Sequence, residues 1–215
     1  MKCLIVIALA LASLLATAPV AQAQVQDTNC DSVIPSFKTI EGNLVVPNNA
    51  KCIFYNGGTV SGNVWVGENA SLNIEGNFTV GGYLQAKNCA FIALNPYGYG
   101  STVVGRSVLI SNCTGDSPAL GTRFPAGAAF GSFGNGLIGG DFQCYDNTGP
   151  CILVNDHVGG NLLVMNNKTA EPSQITGNFI AKGLHCWGNL PAPTGKNNLV
   201  AGNPKNESEG QCQDF

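Results

Sequence analysis

Charged side chains are scarce in this chain of 215 residues, since Asp, Glu, Lys and Arg together make up only 11% of it. Ten basic residues stand against thirteen acidic ones, and the basic residues form no patch or stripe along the sequence. A protein that binds a phosphate backbone needs such a cluster of Lys and Arg. We therefore predict that nucleic acid is not a partner.

Histidine is nearly absent, with two residues, and no two cysteines stand in the close C-x-x-C spacing typical of zinc sites. The only adjacent pair of these residue types is His185 and Cys186, whose side chains would point to opposite faces of a strand. The chain also lacks a Gly-x-Ser-x-Gly elbow and a phosphate-binding loop. We predict neither a metal ion nor a cofactor.

Beyond the N-terminus there is no apolar run long enough to cross a bilayer, which takes about 20 residues. At the N-terminus, Lys2 precedes an apolar run over residues 4–15, and an Ala-Gln-Ala site ends at Ala23. This layout is typical of a cleavable secretory signal over residues 1–23, and the run is short for the alternative, a membrane anchor. The sequence predicts a secreted protein, extracellular or at the cell surface, without a membrane span.

Eight of the nine cysteines follow the predicted signal, and an even number in a secreted chain favours disulfides over free thiols. They are Cys30, Cys52, Cys89, Cys113, Cys144, Cys151, Cys186 and Cys212.

The main feature of the sequence is a recurring phrase: Val or Ile, any residue, Gly, usually Asn, and then two apolar residues separated by one other. Gly is followed by Asn eight times, where composition alone gives roughly three. The density of Gly and the lack of a 3.6-residue period exclude helical repeats. Clear copies begin at Ile40, Val60, Val158, Ile175 and Val200, and looser ones at Val80, Val104 and Ile138.

A period near twenty residues with short apolar alternations predicts an all-β fold, a single-stranded parallel β-helix (β-solenoid) of about seven coils, stapled by disulfides. We expect a cap segment over 24–41, the solenoid over 42–203 and a polar tail over 204–215 that stops pairing. The long interval in the repeat places an insertion at 114–136, which either carries function or covers the coil beneath it. The expected core pairs are Leu44 and Val46, Val64 and Val66, Leu84 and Ala86, Val108 and Ile110, Phe142 and Cys144, Leu162 and Val164, and Phe179 and Ala181.

The repeat also suggests disulfide pairs. Cys89 and Cys113 both fall seven residues after the Gly position of consecutive coils, so they should stack about 4.8 Å apart, close enough to be bridged. Eight cysteines allow 105 connectivities, which leaves the remaining pairs open. Our candidates for them are Cys144 with Cys151, Cys186 with Cys212, and Cys30 with Cys52.

Two groups of polar residues invite a functional interpretation. Asp141, Asp146, Asp156 and His157 form the best acidic cluster for a polysaccharide-active enzyme, although Asp141 stands where other coils have Asn and turn chemistry explains it equally. The corner residues resemble a ligand-binding row, but stacked Asn more often forms a structural hydrogen-bond ladder. They are Asn43, Asn63, Asn161 and Asn178.

Apolar residues also stand at positions that should face outward, where polar ones are expected: Val45, Trp65, Leu109, Leu163 and Ile180, interrupted by Gln85 and Gln143. Such a strip suits a protein partner, a second copy of the chain or a polymer surface. Alternatively, the insertion or the N-terminal segment covers it.

The Gly-Asn phrases, together with the sequences at 186–189, 191–195 and 210–212, resemble small secreted bacterial repeat proteins that are largely uncharacterised. The coils are also distantly similar to bactofilins, which are polymer-forming β-helices. Because bactofilins are cytoplasmic and lack these cysteines, filament assembly is not carried over.

Two functions are compatible with this sequence. The first is a non-catalytic structural or interaction protein at the cell surface or in the extracellular matrix, which associates with itself or with an extracellular polymer or glycan. The alternative is a carbohydrate-binding or polysaccharide-degrading β-helix.

Overall fold

The computed structural model describes residues 26–95, 100–114, 136–202 and 208–215, and its regular elements there are all short β-strands. The strands stack in parallel as a β-solenoid of about eight turns, with successive turns about 20 residues apart. The predicted fold class is therefore confirmed. The repeat phrase determines this fold class, because each copy gives one corner and one short strand. The apolar side chains of that strand can be buried only when another turn stacks beside it.

The 24 strands of the described residues form four parallel sheets, numbered here by order of first appearance. Sheet 1 takes the first strand of each turn: β1 (Thr28–Asn29), β4 (Leu44–Val46), β7 (Val64–Val66), β10 (Leu84–Lys87), β13 (Val108–Ser111), β15 (Phe142–Tyr145), β18 (Leu162–Met165), β21 (Leu184–Trp187) and β24 (Ser208–Gly210). Sheet 2 takes the middle strand of early turns: β2 (Val33–Ile34), β5 (Lys51–Phe54), β8 (Ser71–Ile74) and β11 (Phe91–Leu94).

Sheet 3 takes the last strand of each turn: β3 (Lys38–Ile40), β6 (Gly58–Val60), β9 (Phe78–Val80), β12 (Thr102–Val104), β14 (Leu137–Ile138), β17 (His157–Val158), β20 (Phe179–Ile180) and β23 (Leu199–Val200). Sheet 4 takes the middle strand of late turns: β16 (Ile152–Val154), β19 (Gln174–Thr176) and β22 (Thr194–Lys196). Sheets 2 and 4 are separate because the described part of the fifth turn contributes no middle strand.

The core runs along the inside of the stacked turns. In sheet 1 the alternation of strand side chains points every second residue inward, so that Leu44, Val64 and Leu84 stack on one another and are fully buried. Sheet 3 contributes a matching inner row that includes Val60 and Val80. Each turn therefore packs on its two neighbours, and the buried rows continue from one end of the solenoid to the other.

Glycine precedes asparagine in the phrase because of how consecutive corners stack. The Oδ1 atom of Asn43 accepts a hydrogen bond from the backbone N–H of Asn63 in the next turn (2.9 Å), and Asn63 Oδ1 does the same for Tyr83 (2.9 Å). A Cβ atom on Gly62 or Gly82 would collide with these stacked amides. The corners that follow seven of the nine sheet 1 strands, β4 to β21, instead use residues that adopt positive φ. These are Asn49, Asn69, Asn88, Asn112, Asp146, Asn166 and Gly188.

Asparagine ladders also line two other corners, where they are buried more deeply. One runs through Asn147, Asn167 and Asn189 to Gln211, and each side-chain oxygen accepts from both the backbone and the side-chain N–H of the preceding residue in the ladder. The other joins Asn178 to Asn198. The ladder prediction is confirmed, although Asn178 belongs to a different corner from Asn43, Asn63 and Asn161.

The seventh turn departs from the predicted register. We expected Phe179 and Ala181 to point into the core and Ile180 to face outward, but β20 belongs to sheet 3 and Ile180 is fully buried there. The Gly177-Asn178 pair makes the corner before sheet 3, because Asn178 pairs with Asn198. The corner that leads into sheet 1 is at Gly183, whose N–H donates to Asn161 Oδ1 (3.1 Å).

The ends of the solenoid also pair more than expected. The segment that we predicted as a cap contains β1, β2 and β3, which pair with the following turn and raise the number of turns from about seven to about eight. The prediction of a tail that stops pairing is wrong. Strand β24 pairs with β21, and Gln211 extends the Asn189 ladder by one step.

Four disulfides cross-link the solenoid, and each joins a pair that we had put forward. They are Cys30–Cys52, Cys89–Cys113, Cys144–Cys151 and Cys186–Cys212. The Cα atoms of Cys89 and Cys113 are 4.4 Å apart, as the stacking of consecutive turns requires. All eight cysteines are buried.

The interior of the predicted insertion, residues 115–135, lies outside the described residues, so its two interpretations stay open. Near the point where it leaves the fold, the outward side chains of sheet 2 are buried although they point away from the core. Phe91 and Ala93 on β11 are outward in register yet at most 4% exposed, and Ser71 and Asn73 beside them are also buried.

Candidate functional site

The outer face of sheet 1 carries one residue per turn at the centre of each strand, and these residues form a row along the solenoid axis that we name the central row. The strand register places them side by side in this order: Asn29, Val45, Trp65, Gln85, Leu109, Gln143, Leu163, His185 and Glu209. Four of the five predicted strip residues lie in this row. Ile180 does not, and His185 occupies its place.

The central row passes through a depression of about 370 Å³ on the surface, which spans turns three to six. Trp65 forms one wall and is 36% exposed, while Tyr83, at the corner before β10, is 44% exposed. Gln85, Leu109 and Gln143 of the central row complete the outward lining. The depression thus combines two exposed aromatic rings with the side-chain amides of Gln85 and Gln143.

The remaining polar groups of the depression are held by the fold. Asn63 Oδ1 accepts from the Tyr83 N–H, and Ser107 Oγ accepts from the Asp141 N–H (3.0 Å). The guanidinium of Arg106 lies 5.2 Å from the centroid of the Tyr83 ring and donates to its hydroxyl (3.2 Å). This contact fixes the orientation of the Tyr83 ring at the rim.

A second outward row follows the central one, two residues further along each strand. It consists of Lys87, Ser111, Tyr145, Met165 and Trp187, which the register places side by side. Trp187 is 42% exposed and stacks on His185, with ring centroids 5.4 Å apart. His185 Nδ1 in turn lies 3.3 Å from Glu209 Oε2.

The structure places Asp141 and Asp146 at the two ends of β15, and Asp156 with His157 at the start of β17. Asp141 lies at the corner before sheet 1, where its Oδ1 accepts from the N–H of Asn161 (2.7 Å), as Asn does in other turns. Asp146 occupies the exposed corner after β15 with a positive φ. Turn chemistry therefore accounts for both residues.

The other two candidates are adjacent in the sequence. Asp156 lies directly before β17 of sheet 3, and His157 is the first residue of that strand. Asp156 is buried, and its Oδ1 accepts from the N–H of Gly136 (3.1 Å), which ties the chain after the insertion to the next turn. His157 points outward from β17 and packs on Phe179, with ring centroids 4.4 Å apart. This contact belongs to an outward row on sheet 3 that runs from His157 through Phe179 to Leu199.

Within the described ranges, no three His, Cys, Asp or Glu side chains come together as a metal site would require. The same part of the chain holds no helix that is both long and apolar enough to span a membrane.

The sequence pointed to Trp65 and Leu109, but it gave Gln85 and Gln143 only as interruptions of the apolar strip and missed Tyr83. Tyr83 stands where other turns have Asn, so the repeat phrase hides it as an outward aromatic. The row ending in Trp187 also lies outside the predicted strip, which takes only one outward position per strand. The alternation of strand side chains, applied one step further, would have found it.

Comparison with protein-family models, with curated proteins and with solved structures gave no match. The fold and its surface therefore define the class: the chain is a parallel β-solenoid stapled by four disulfides, with an amide-lined and aromatic depression on the outer face of sheet 1.

Proposed function

We propose that this chain is a secreted, non-catalytic interaction protein that acts at the cell surface or in the extracellular matrix, and that the outer face of sheet 1 contacts its partner. The observation that carries the proposal is the depression in the central row, with Trp65 on its wall. Exposed aromatic side chains in a concave surface are the usual anchors of binding sites.

Export is supported by two independent features. The predicted signal over residues 1–23 would direct the chain out of the cytoplasm. The four disulfides fit an oxidising compartment, because cytosolic thiols are kept reduced.

A rigid scaffold also supports an interaction role. The outward residues of the depression stand on β7, β10, β13 and β15, which are paired on both sides and packed on the buried rows beneath them, so we expect their spacing to change little when a partner binds. The acidic residues that suggested catalysis serve corners instead, and this favours the non-catalytic interpretation over polysaccharide degradation.

Substitution of Trp65 by alanine is expected to weaken partner binding at least 10-fold, because the indole is the largest exposed apolar group in the depression. Binding would be measured as retention on cell-surface and matrix material of the producing organism, and self-association by sedimentation. Leu163→Ser should weaken binding by a smaller factor, since Leu163 lies in the central row but outside the depression.

The matched control is Leu199→Ala, which removes an apolar side chain that is 57% exposed on sheet 3. It should leave binding unchanged. Equal binding by the wild type and a folded Trp65→Ala variant would refute the proposal, as would a wild-type protein that associates neither with itself nor with surface material.

A further inference from the structure

The ligand chemistry of the depression can be derived from its lining. Trp65, Gln85, Leu109 and Gln143 stand on four adjacent strands, which places the outermost two about 14 Å apart at the usual strand spacing. A ligand that contacts all four must be extended along the solenoid axis. The central row continues in the same direction through Leu163, so the axis offers further contacts to a long chain.

Two amides in the depression are available to a ligand. Among the described residues, the side chains of Gln85 and Gln143 have no hydrogen-bond partner, and neither does the indole N–H of Trp65. Each amide can donate two hydrogen bonds and accept two. Both glutamines are half-buried, so a ligand that matched them would replace water with directed hydrogen bonds.

The aromatic rings indicate that the ligand also needs an apolar face beside the groups that bind the amides. Trp65 and Tyr83 offer flat apolar faces beside the amides. A pyranose ring has a complementary surface, because its C–H bonds form an apolar face while its hydroxyls project from the edge as donors and acceptors. An extended peptide offers regular backbone groups, but here the edges of the strands below are already paired within sheet 1.

The charge of the lining restricts the class of ligand further. None of the nine lining residues is Asp, Glu, Lys, Arg or His. The guanidinium of Arg106 is held against Tyr83 at the rim. A polyuronate or a sulfated glycan would find no cation on the floor of the depression to offset the loss of its hydration.

We infer that the depression of Trp65, Tyr83, Gln85 and Gln143 binds a neutral polysaccharide chain that lies along the solenoid axis. This inference rests on the proposed function, since it names the ligand class of the same surface. The aromatic rings bind the apolar faces of the sugar rings, and the two amides bind their hydroxyls.

The inference is tested with purified protein lacking residues 1–23 as the secreted form would, and with named probes: a glucan oligosaccharide series, insoluble neutral polysaccharides including cellulose and chitin, a neutral galactan and mannan, and a polyuronate. We expect at least one neutral glycan to bind at least 10-fold more tightly than the polyuronate. Affinity should rise with chain length up to the span of the depression. Equal binding of the polyuronate, or no binding of any neutral glycan, would overturn the inference.

Two variants locate the site. Gln85→Leu and Gln143→Leu preserve side-chain size but remove the amide, and each should weaken glycan binding 5-fold or more. The matched control is Gln174→Leu, an exposed glutamine on sheet 4, which should bind as the wild type does. Circular dichroism and thermal unfolding verify the fold of each variant, and Gln143→Ala replaces any variant that fails this check. Unchanged glycan binding by both Gln85→Leu and Gln143→Leu would overturn the assigned site.

A further measurement separates this inference from the proposed function. Surface material is treated with periodate, which cleaves the vicinal diols of sugars, or with protease. Loss of Trp65-dependent binding after periodate, or its survival after protease, supports the glycan. If binding survives periodate and is abolished by protease, the partner is a protein, so the glycan inference is wrong and the interaction function stands.

Discussion

Replacing Asn167 by alanine is expected to lower the free energy of unfolding by about 3 kcal/mol, because the substitution strips a buried ladder of its centre. The Oδ1 atom of Asn167 accepts from the backbone N–H of Asn147 (3.0 Å) and from its side-chain amide (2.9 Å). Its own amide donates to the carbonyl of Cys144 and to Asn189 Oδ1. Asn167 is only 1% exposed, so water cannot replace these partners without opening the corner.

The control for this prediction is Asn56→Ala. Asn56 makes one exposed side-chain hydrogen bond, to Ser36, and its loss should cost well under about 1 kcal/mol. Urea unfolding of both variants with intact disulfides, followed by circular dichroism, gives the comparison. Equal shifts for the two variants would mean that the ladder contributes no more than an exposed contact.

Removal of the Cys89–Cys113 disulfide by a double alanine substitution should cost about 3 kcal/mol, since the bond closes a segment with a sequence separation of 24. The Cys144–Cys151 bond closes a separation of 7, for which chain entropy gives about 2 kcal/mol. The cysteines of both pairs are at most 1% exposed, so the cavities left by alanine are similar and the difference reflects loop length.

Urea unfolding of the two double variants, compared with the wild type, measures this difference. The reverse order of stability would contradict the entropic account. Mass mapping of the alkylated wild-type protein provides an independent check, because free thiols at Cys89 and Cys113 would mean that the turns are stacked in another register.

Much of the fold follows from the sequence because a solenoid repeats one local solution. The register of sheet 1 could be predicted from Leu44 to Val164, because each copy of the repeat phrase in that range makes the corner before a sheet 1 strand. The predicted register is wrong at Gly177-Asn178, because the same two residues also suit the corner before sheet 3. The interval of 17 residues before that copy, shorter than the usual 20, was the available signal.

The return of the tail could not be predicted from its composition. Pro204 and Lys205 interrupt the apolar pattern, yet Ser208–Gly210 resumes pairing with β21. The bond between Cys186 and Cys212 and the contact of Gln211 with Asn189 fasten this last strand, so stabilisation comes from a covalent link and a ladder rather than from burial of its own apolar side chains.

The candidate site could be predicted only in part. Trp65 and Leu109 are outward in an alternating strand, so their row was visible in the sequence. The depression itself depends on the position of Tyr83 at a corner and on its contact with Arg106 in the next turn, residues that are 23 positions apart. No local pattern encodes such a contact.

The fluorescence of Trp65 tests the central claim most directly, because the chain has only two tryptophans and Trp187→Phe leaves Trp65 as the single one. Addition of the neutral glycan that the wild type binds should shift Trp65 emission to shorter wavelength, saturably and with the affinity measured by retention, since Trp65 is 36% exposed and its exposed part would leave water. The converse variant, Trp65→Phe, should show no shift of Trp187 emission. Glycan binding that leaves Trp65 emission unchanged, or that shifts Trp187 instead, would contradict the assignment of the depression as the contact site.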